Sequence, residues 1–282
     1  MPAIIEARKL KKIYGKGESE FAALKGLDLS IAQGDVVAII GKSGSGKSTL
    51  MHLLALLDTP TEGIVKVNGQ NASVLKRKEV DLLRNRDFGF VFQQFFLNAT
   101  DSVLSNVILP LKIAGVPAKE RNRRGLEALR AVELEEKANN TAMDLSGGQK
   151  QRVVIARALI NQPKVIFADE PTGNLDSVTA EAVFQLFERL VARGKTILVV
   201  THDVDLAKRV NRTLIISDGE VIEEYLARTF PTLPDDIMAW VMREIHHKNF
   251  EANALILEEG GAAENFYIIV KGGVDVMVNG PH

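Results

Sequence analysis

Residues 41 to 49 read Gly-Lys-Ser-Gly-Ser-Gly-Lys-Ser-Thr, between the apolar run Val36-Val37-Ala38-Ile39-Ile40 and a helix-like run from Leu50 to Leu57. Glycines at 41, 44 and 46 open backbone conformations closed to residues with a Cβ, so that successive N–H groups can turn inward around an anion. The loop Gly41, Ser43, Gly44, Ser45, Gly46 through Thr49 thereby becomes a nest for phosphate. The helix behind it aims unpaired N–H groups and the positive end of its dipole at the same point. Lys47 supplies a full positive charge for terminal phosphates, and the Ser48 hydroxyl a hard oxygen ligand for Mg²⁺. A glycine turn with a chance lysine is a poor account of this stretch, because GxxxxGK[ST] matches in full between a strand and a helix.

Four further groups could do chemistry with a bound phosphate. Val165-Ile166-Phe167-Ala168 is a continuous apolar run ending in Asp169-Glu170, the pattern of a strand buried on both faces of a parallel sheet. Ligands gather at the carboxyl ends of such strands, where Asp169 suits a Mg²⁺ shell and Glu170 the activation of a water. Paired acids at a strand end can be merely solvated loop charge, but the phosphate loop earlier in the chain argues sharply against that here. Gln93 ends another apolar strand, Phe88 to Phe92, and its amide can ligate Mg²⁺, hold a water or cap a loop. His202 follows the strand Lys195 to Thr201, on the same sheet edge as the two acids; a lone histidine there is more often structural. Leu145-Ser146-Gly147-Gly148-Gln149 opens a helix with Ser146 as N-cap, and two glycines at a helix start again leave N–H groups for an anion.

These groups need a framework. Residues 3–14 and 21–31 read as strands joined by the turn GKGESE, with Tyr14 closing the first, where an aromatic can stack on a purine or simply be half-buried. TEGIVKVNG, 61–69, alternates and ends in the hairpin signal Asn-Gly. A charged helix is expected over 76–86 and an amphipathic one over 118–133; the segment from 76 to about 140 reads as a helical insertion. A helix over 177–193 follows PTGNLD, with Val178, Ala182, Val183, Leu186, Phe187 and Leu190 expected on its inner face. A hairpin through Asp218-Gly219 closes the domain.

At 282 residues the chain can bury one large core with an appendage. With net charge −1 and no stretch dominated by Lys and Arg, nucleic acid is not an expected partner. The absence of cysteine excludes disulfides and thiolate metal sites and suits a reducing cytoplasm. No apolar run approaches the roughly 20 residues that cross a bilayer. A cytoplasmic protein is expected, with any membrane role exercised through a partner.

Together these stretches resemble the ATP-binding subunit of ATP-binding cassette (ABC) transporters over roughly residues 3 to 225. The phosphate loop, Gln93, LSGGQ, the IFADE acids, NLD and His202 occur once each in that family's order. SGSGKSTLM, GFVFQQF and ADEPTGNLDS are most similar to the group serving macrolide exporters, lipoprotein-release systems and cell-division complexes. The chain departs from that group at Phe95 to Thr100 and at Ser105-Asn106-Val107, near the surface expected to meet a membrane partner.

The resemblance implies an α/β fold: a phosphate-loop ATPase sheet core with an antiparallel β subdomain and a helical insertion, about 76–160, within a domain 1–226. It implies a Mg²⁺-dependent ATPase whose two copies close head to tail over two ATP molecules, peripheral to the inner face of the membrane through an integral-membrane permease. Under it Tyr14 stacks on adenine, Lys47 holds β- and γ-phosphate, and Ser48, Gln93 and Asp169 serve Mg²⁺. Ser146 and Gly148, within Ser146-Gly147-Gly148-Gln149, reach the γ-phosphate of the partner's ATP. Glu170 is the base, His202 contacts the γ-phosphate, and Asp176 links the two sites. Beyond this region, 227–282 resembles the opening of a cyclic-nucleotide-binding β-roll, a helix and then several short strands. It lacks the phosphate cassette and is not expected to bind cyclic nucleotide; His246 and His247 read as surface residues. A transport motor, for export or membrane extraction, is the first expectation. A soluble remodelling ATPase, as in cell division or iron–sulfur assembly, and a nucleotide-switched scaffold are the alternatives.

Overall fold

In the computed structural model, described for residues 2–203, 207, 209–230, 232–246, 248–258, 265–269 and 272–275, the chain divides into two compact units, Met1–Val221 and Ile222–His282. That division falls ahead of the boundary expected at 226.

In the first unit the alternating N-terminal stretches form β1 (Ala3–Tyr14) and β2 (Phe21–Ala32), paired antiparallel. The continuous apolar run before the glycine loop forms β3 (Val36–Ile40) in a different sheet, and the loop feeds α1 (Lys47–Leu54). Next, β4 (Glu62–Val67) lies against the other side of β1 and turns through Asn68 and Gly69 into β5 (Gln70–Asn71), completing a four-stranded sheet ordered β2-β1-β4-β5. Both turn residues have positive φ, 50° and 77°, the geometry that an Asn-Gly pair supplies to a tight hairpin.

Helix α2 (Arg77–Asp87) leads into β6 (Phe88–Phe92), which pairs in parallel with β7 (Val165–Asp169). The second sheet has the order β10-β9-β3-β8-β7-β6, with β8 (Thr196–Val200), β9 (Arg212–Ser217) and β10 (Glu220–Glu223). Because β6 belongs to this sheet, the helical insertion does not begin at 76; it begins after Phe92. It contains α3 (Val103–Val107), α4 (Leu109–Ile113) and α5 (Ala118–Ala131), and closes on α6 (Gly147–Leu159).

Three apolar clusters hold this unit together. On one side of the parallel sheet, Leu50, Met51, Leu53 and Leu54 of α1 pack with Ile5, Leu24 and Phe167. On the other, Val154 and Ile155 of α6 and Val183 and Phe187 of α7 (Ser177–Ala192) cover Ile166, Ala168, Ile197 and Val199. The opposite face of α6 presents Val153, Ala156 and Ile160 to Val103, Val107, Leu111 and Leu129 of the insertion. Helix α6 therefore joins the sheet to the helical layer. On α7, Val178 is 80% exposed and Ala182 is also exposed, against expectation. The buried stripe is Val183, Phe184, Phe187 and Leu190, and Val178 lies five residues before Val183, about 140° around the helix.

The second unit contains α8 (Glu224–Thr229) and α9 (Asp235–Glu244), with Leu226 and Met238 buried. The short strands expected beyond 250 do not form among the described residues: Leu255, Leu257, Phe266 and Ile269 are all more than half exposed. Alternation stabilises a strand only where a neighbour pairs its backbone and covers its apolar face, and no described element does either here. His246 is exposed as expected; His247 and Glu259-Gly260 lie outside the described residues.

Phe167 is 1% exposed, with ring centroids 5.0 Å from Phe88 and 5.8 Å from Phe90. Phe167→Ala should cost about 3–5 kcal/mol of unfolding free energy, read as a lower denaturant midpoint with little change in slope.

Candidate active site

The glycine loop leaves β3 and enters α1 at Gly46, whose φ is 107° and where a Cβ would stand 2.5 Å from the Ala23 carbonyl oxygen. A side chain there would force apart the loop and β2. The loop is also tied to the β9–β10 turn, where the Gly219 N–H donates to the Ser45 carbonyl at 3.0 Å. Lys47 is 7% exposed, and its ammonium donates to the carbonyls of Gly41 at 2.9 Å and Lys42 at 2.8 Å, so the charge lies folded into the cradle. Ser48 is exposed and Thr49 half-buried at the helix start. The Ser45 hydroxyl oxygen is buried with no hydrogen-bond partner, a costly state for a polar group unless a ligand completes it.

The register of the parallel sheet brings the other candidates to the same edge. Phe92 stands opposite Asp169, and Asp169 opposite Val200, so Gln93, Glu170 and Thr201-His202 all emerge from adjacent strand ends. Burial raises the Asp169 carboxyl above its ordinary range, opposed by the positive fields of His52, Lys47 and His202. Burial also raises Glu170, and His202 again opposes the shift. The His202 Nε2 lies 3.2 Å from Glu170 Oε1, but Oε1 is buried and makes no aligned hydrogen bond. Its lone pairs remain available to a water. Glu170 has φ 47°, a left-handed conformation unusual for a residue with a Cβ, fixed by its N–H donating to the Val200 carbonyl at 2.9 Å.

Ser146 caps α6 as expected: the Gln149 N–H donates to its hydroxyl at 3.3 Å, and its own N–H donates to Gln149 Oε1 at 2.9 Å. At the start of α7, Asp176 accepts from the Thr179 N–H at 3.0 Å and from the Thr179 hydroxyl at 2.7 Å, which holds its carboxyl below the ordinary range. The two helix starts abut, and a Cβ on Gly148 would lie 2.6 Å from Thr179 Cγ2. Between them lies a hollow of about 290 Å³ lined by Ser146, Gly147, Gly148, Arg152, Asn174 and Asp176, among others. Tyr14 stands elsewhere, 41% exposed at the end of β1, with its hydroxyl 3.0 Å from Asp58.

The structure thus sorts the candidates into a group at the adjacent strand ends (Gln93, Asp169, Glu170, His202) beside Lys47, a polar hollow at two helix starts, and an exposed aromatic ring at the end of β1. Three neighbours of these groups lie outside the expected set. Gln151, 1% exposed, donates to the Pro171 carbonyl at 2.6 Å and so ties α6 to the loop after Glu170. Thr179 was legible as the third residue after a capping Asp. His52, one and a half turns beyond Lys47 on α1, gave no signal. Among the described residues no group of three His, Cys, Asp or Glu could hold a metal ion.

A glycine cradle with a buried lysine, carboxylates at the adjacent strand end and a capped LSGGQ helix define an ATP-hydrolysing cassette. The profile of the ABC transporter family matches residues 24–173, and the chain belongs to that family as an ATP-binding subunit. It is 48% identical over 208 residues to the lipoprotein-releasing system ATP-binding protein LolD of Bacteroides fragilis, covering 73% of this chain and 96% of the relative. It is 43% identical over 233 residues to the macrolide export ATP-binding/permease protein MacB of Nitrosomonas europaea, covering 82% of this chain and 35% of that protein. A solved dimer of the ATP-binding cassette MJ0796, in a post-hydrolysis state with ADP and Pi, superposes with a TM-score of 0.72 at 44% identity, covering 77% of this chain and 96% of that one. No helix among the described residues is long and apolar enough to cross a membrane.

A carboxyl whose folded pKa lies above its unfolded value binds its proton more tightly in the folded state. Its charge costs stability above the folded pKa, and the cost disappears as pH falls toward the unfolded value. Glu170→Gln should therefore raise the Tm of the nucleotide-free protein at pH 7.5, with the gain vanishing toward about pH 4 in melts across a pH series.

Proposed function

We propose that this ATPase works as a dimer and drives a separate integral-membrane permease from the cytoplasmic face, in export or in extraction of a substrate from the membrane. The observation that carries the reading is the alignment of Gln93, Asp169, Glu170 and His202 on one sheet edge beside Lys47. The LSGGQ start meanwhile lies with Asp176 in its own hollow. A γ-phosphate clasped at one edge and capped by a second copy's Ser146 and Gly148 would draw donors from two chains, which is how phosphoryl transfer is best assisted.

In this scheme the loop from Gly41 to Thr49 cradles the phosphates, Lys47 exchanges loop carbonyls for β- and γ-phosphate oxygens, and Tyr14 covers adenine. The oxygen donors of Ser48, Gln93 and Asp169 would hold Mg²⁺, which would supply neutralisation of negative charge on the triphosphate. Glu170 Oε1 accepts the proton of the attacking water as its oxygen bonds to the γ-phosphorus and ADP leaves. His202 contacts the γ-phosphate. Asp176 transmits the state of one site to the other. The catalytic unit spans residues 1–226. LolD and MacB by name serve lipoprotein release and macrolide export, which supports export or extraction over soluble remodelling.

Glu170→Gln should retain ATP binding, lower kcat about a hundredfold or more, and accumulate an ATP-dependent dimer in sedimentation velocity. Turnover at the normal rate would remove Glu170 from the role of base. Purification from native membranes should bring an integral-membrane protein with the chain, identified by mass spectrometry; its absence would favour a soluble remodelling ATPase.

A further inference from the structure

Tyr14 ends β1 with an exposed ring, yet its hydroxyl is tied down. It lies 3.0 Å from Asp58 Oδ2, and the Thr49 side chain of α1 also neighbours the Tyr14 hydroxyl. The second carboxylate oxygen of Asp58 accepts from the Lys12 ammonium at 2.8 Å and from the Thr59 N–H at 2.7 Å. Lys12 also donates to the Thr59 carbonyl at 2.7 Å, and its nitrogen stands 4.9 Å from the Tyr14 ring centroid. Lys12 and Tyr14, two residues apart on a strand, share a face of β1. The lysine therefore braces the ring and the carboxylate holds both. Burial would raise the Asp58 carboxyl, but the donors from Lys12, Thr59 and Tyr14 outweigh it and keep the group ionised and accepting.

Asp58 is itself preset. It follows α1, where the Leu57 and Asp58 N–H groups both donate to the His52 carbonyl, at 2.8 and 3.3 Å. The turn is stitched along β1 by the Ile13 N–H to the Thr61 hydroxyl at 3.0 Å and the Thr61 N–H to the Lys11 carbonyl at 2.8 Å. Helix α1 thus begins with Lys47 in the phosphate cradle and exits into the residue that anchors the aromatic platform. A ring already held in place loses less freedom when a base stacks on it, an advantage of roughly two- to tenfold in affinity for one immobilised side chain.

We propose that Asp58 is a positioning residue for nucleotide binding, holding the Tyr14 ring through its hydroxyl so that the base of a nucleoside triphosphate meets a preset platform. The claim rests on the reading of Tyr14 as the base-stacking residue. A purely structural Asp58–Lys12 ion pair would instead staple a strand to a turn with no preference for ligands that carry a base.

The test compares binding of ATP and of inorganic triphosphate, which lacks a base, to the full chain and to Asp58→Asn, Asp58→Ala, Tyr14→Phe and Tyr14→Ala, with Tm recorded for each. Asp58→Ala should weaken ATP about fivefold while triphosphate affinity changes less than about twofold. Tyr14→Phe keeps the ring but loses the anchor, and should weaken ATP several-fold without adding to the effect of Asp58→Ala in the double variant. Equal weakening of ATP and triphosphate, no change in either, or full additivity would overturn the proposal. If Asp58→Ala folds poorly, the near-isosteric Asp58→Asn carries the same comparison. Tyr14→Ala separates the two levels: unchanged ATP affinity sinks the stacking role itself, whereas weakened ATP with an unaffected Asp58→Asn and Asp58→Ala sinks only the positioning.

Discussion

Charges can be held at the end of a buried strand only if everything behind them is apolar and dry. Strands β7 and β8 satisfy that condition, since Val165 to Ala168 and Thr196 to Val200 are all buried. Asp169 and Glu170 are the first carboxylates the chain can place once β7 reaches water, and their raised proton affinity follows from that position. A carboxylate that water does not fully solvate is a better acceptor for a proton and for a cation's field. The chemistry of the edge is thus a consequence of the hydrophobic layers beneath it.

Two helices convert that edge into a machine part. The eight-residue α1 sits in the core between the two sheets, so the cradle at its start inherits the rigidity of Leu50, Met51, Leu53 and Leu54. Helix α6 is apolar on two sides, one against the parallel sheet and one against the insertion, and its capped start carries Ser146. The Gln151 side chain donates to the carbonyl of Pro171, the residue after Glu170, so a hydrogen bond joins the LSGGQ helix to the loop that follows β7. Arg157, whose guanidinium is partly desolvated, extends the link by donating to the carbonyls of Phe95 and Phe96 beyond Gln93.

Most of the strand-end cluster is legible in the amino-acid order because its residues terminate strands whose apolar runs are unmistakable. The glycine loop, the Asp169-Glu170 pair and the Ser146 cap each combine a local conformational rule with a chemical one. What was less legible depended on long-range pairing. Residues 88–92 read as a strand, but nothing local assigns that strand to the sheet core rather than to the helical insertion until β7 is known to lie beside it. Val178 looks like a core residue until the packed stripe fixes the rotation of α7. The tail shows the opposite failure, since alternation in 254–275 signals a strand face that no described neighbour covers. His52 and Gln151 act through space across elements far apart in the chain, and nothing in their local surroundings marks them.

The left-handed backbone at Glu170 sets torsional ease against the side chain it displays. Glycine would relieve roughly 1–2 kcal/mol of torsional strain there, but it would remove the carboxylate that the strain displays. At this position the torsion and the carboxylate are therefore gained or lost together.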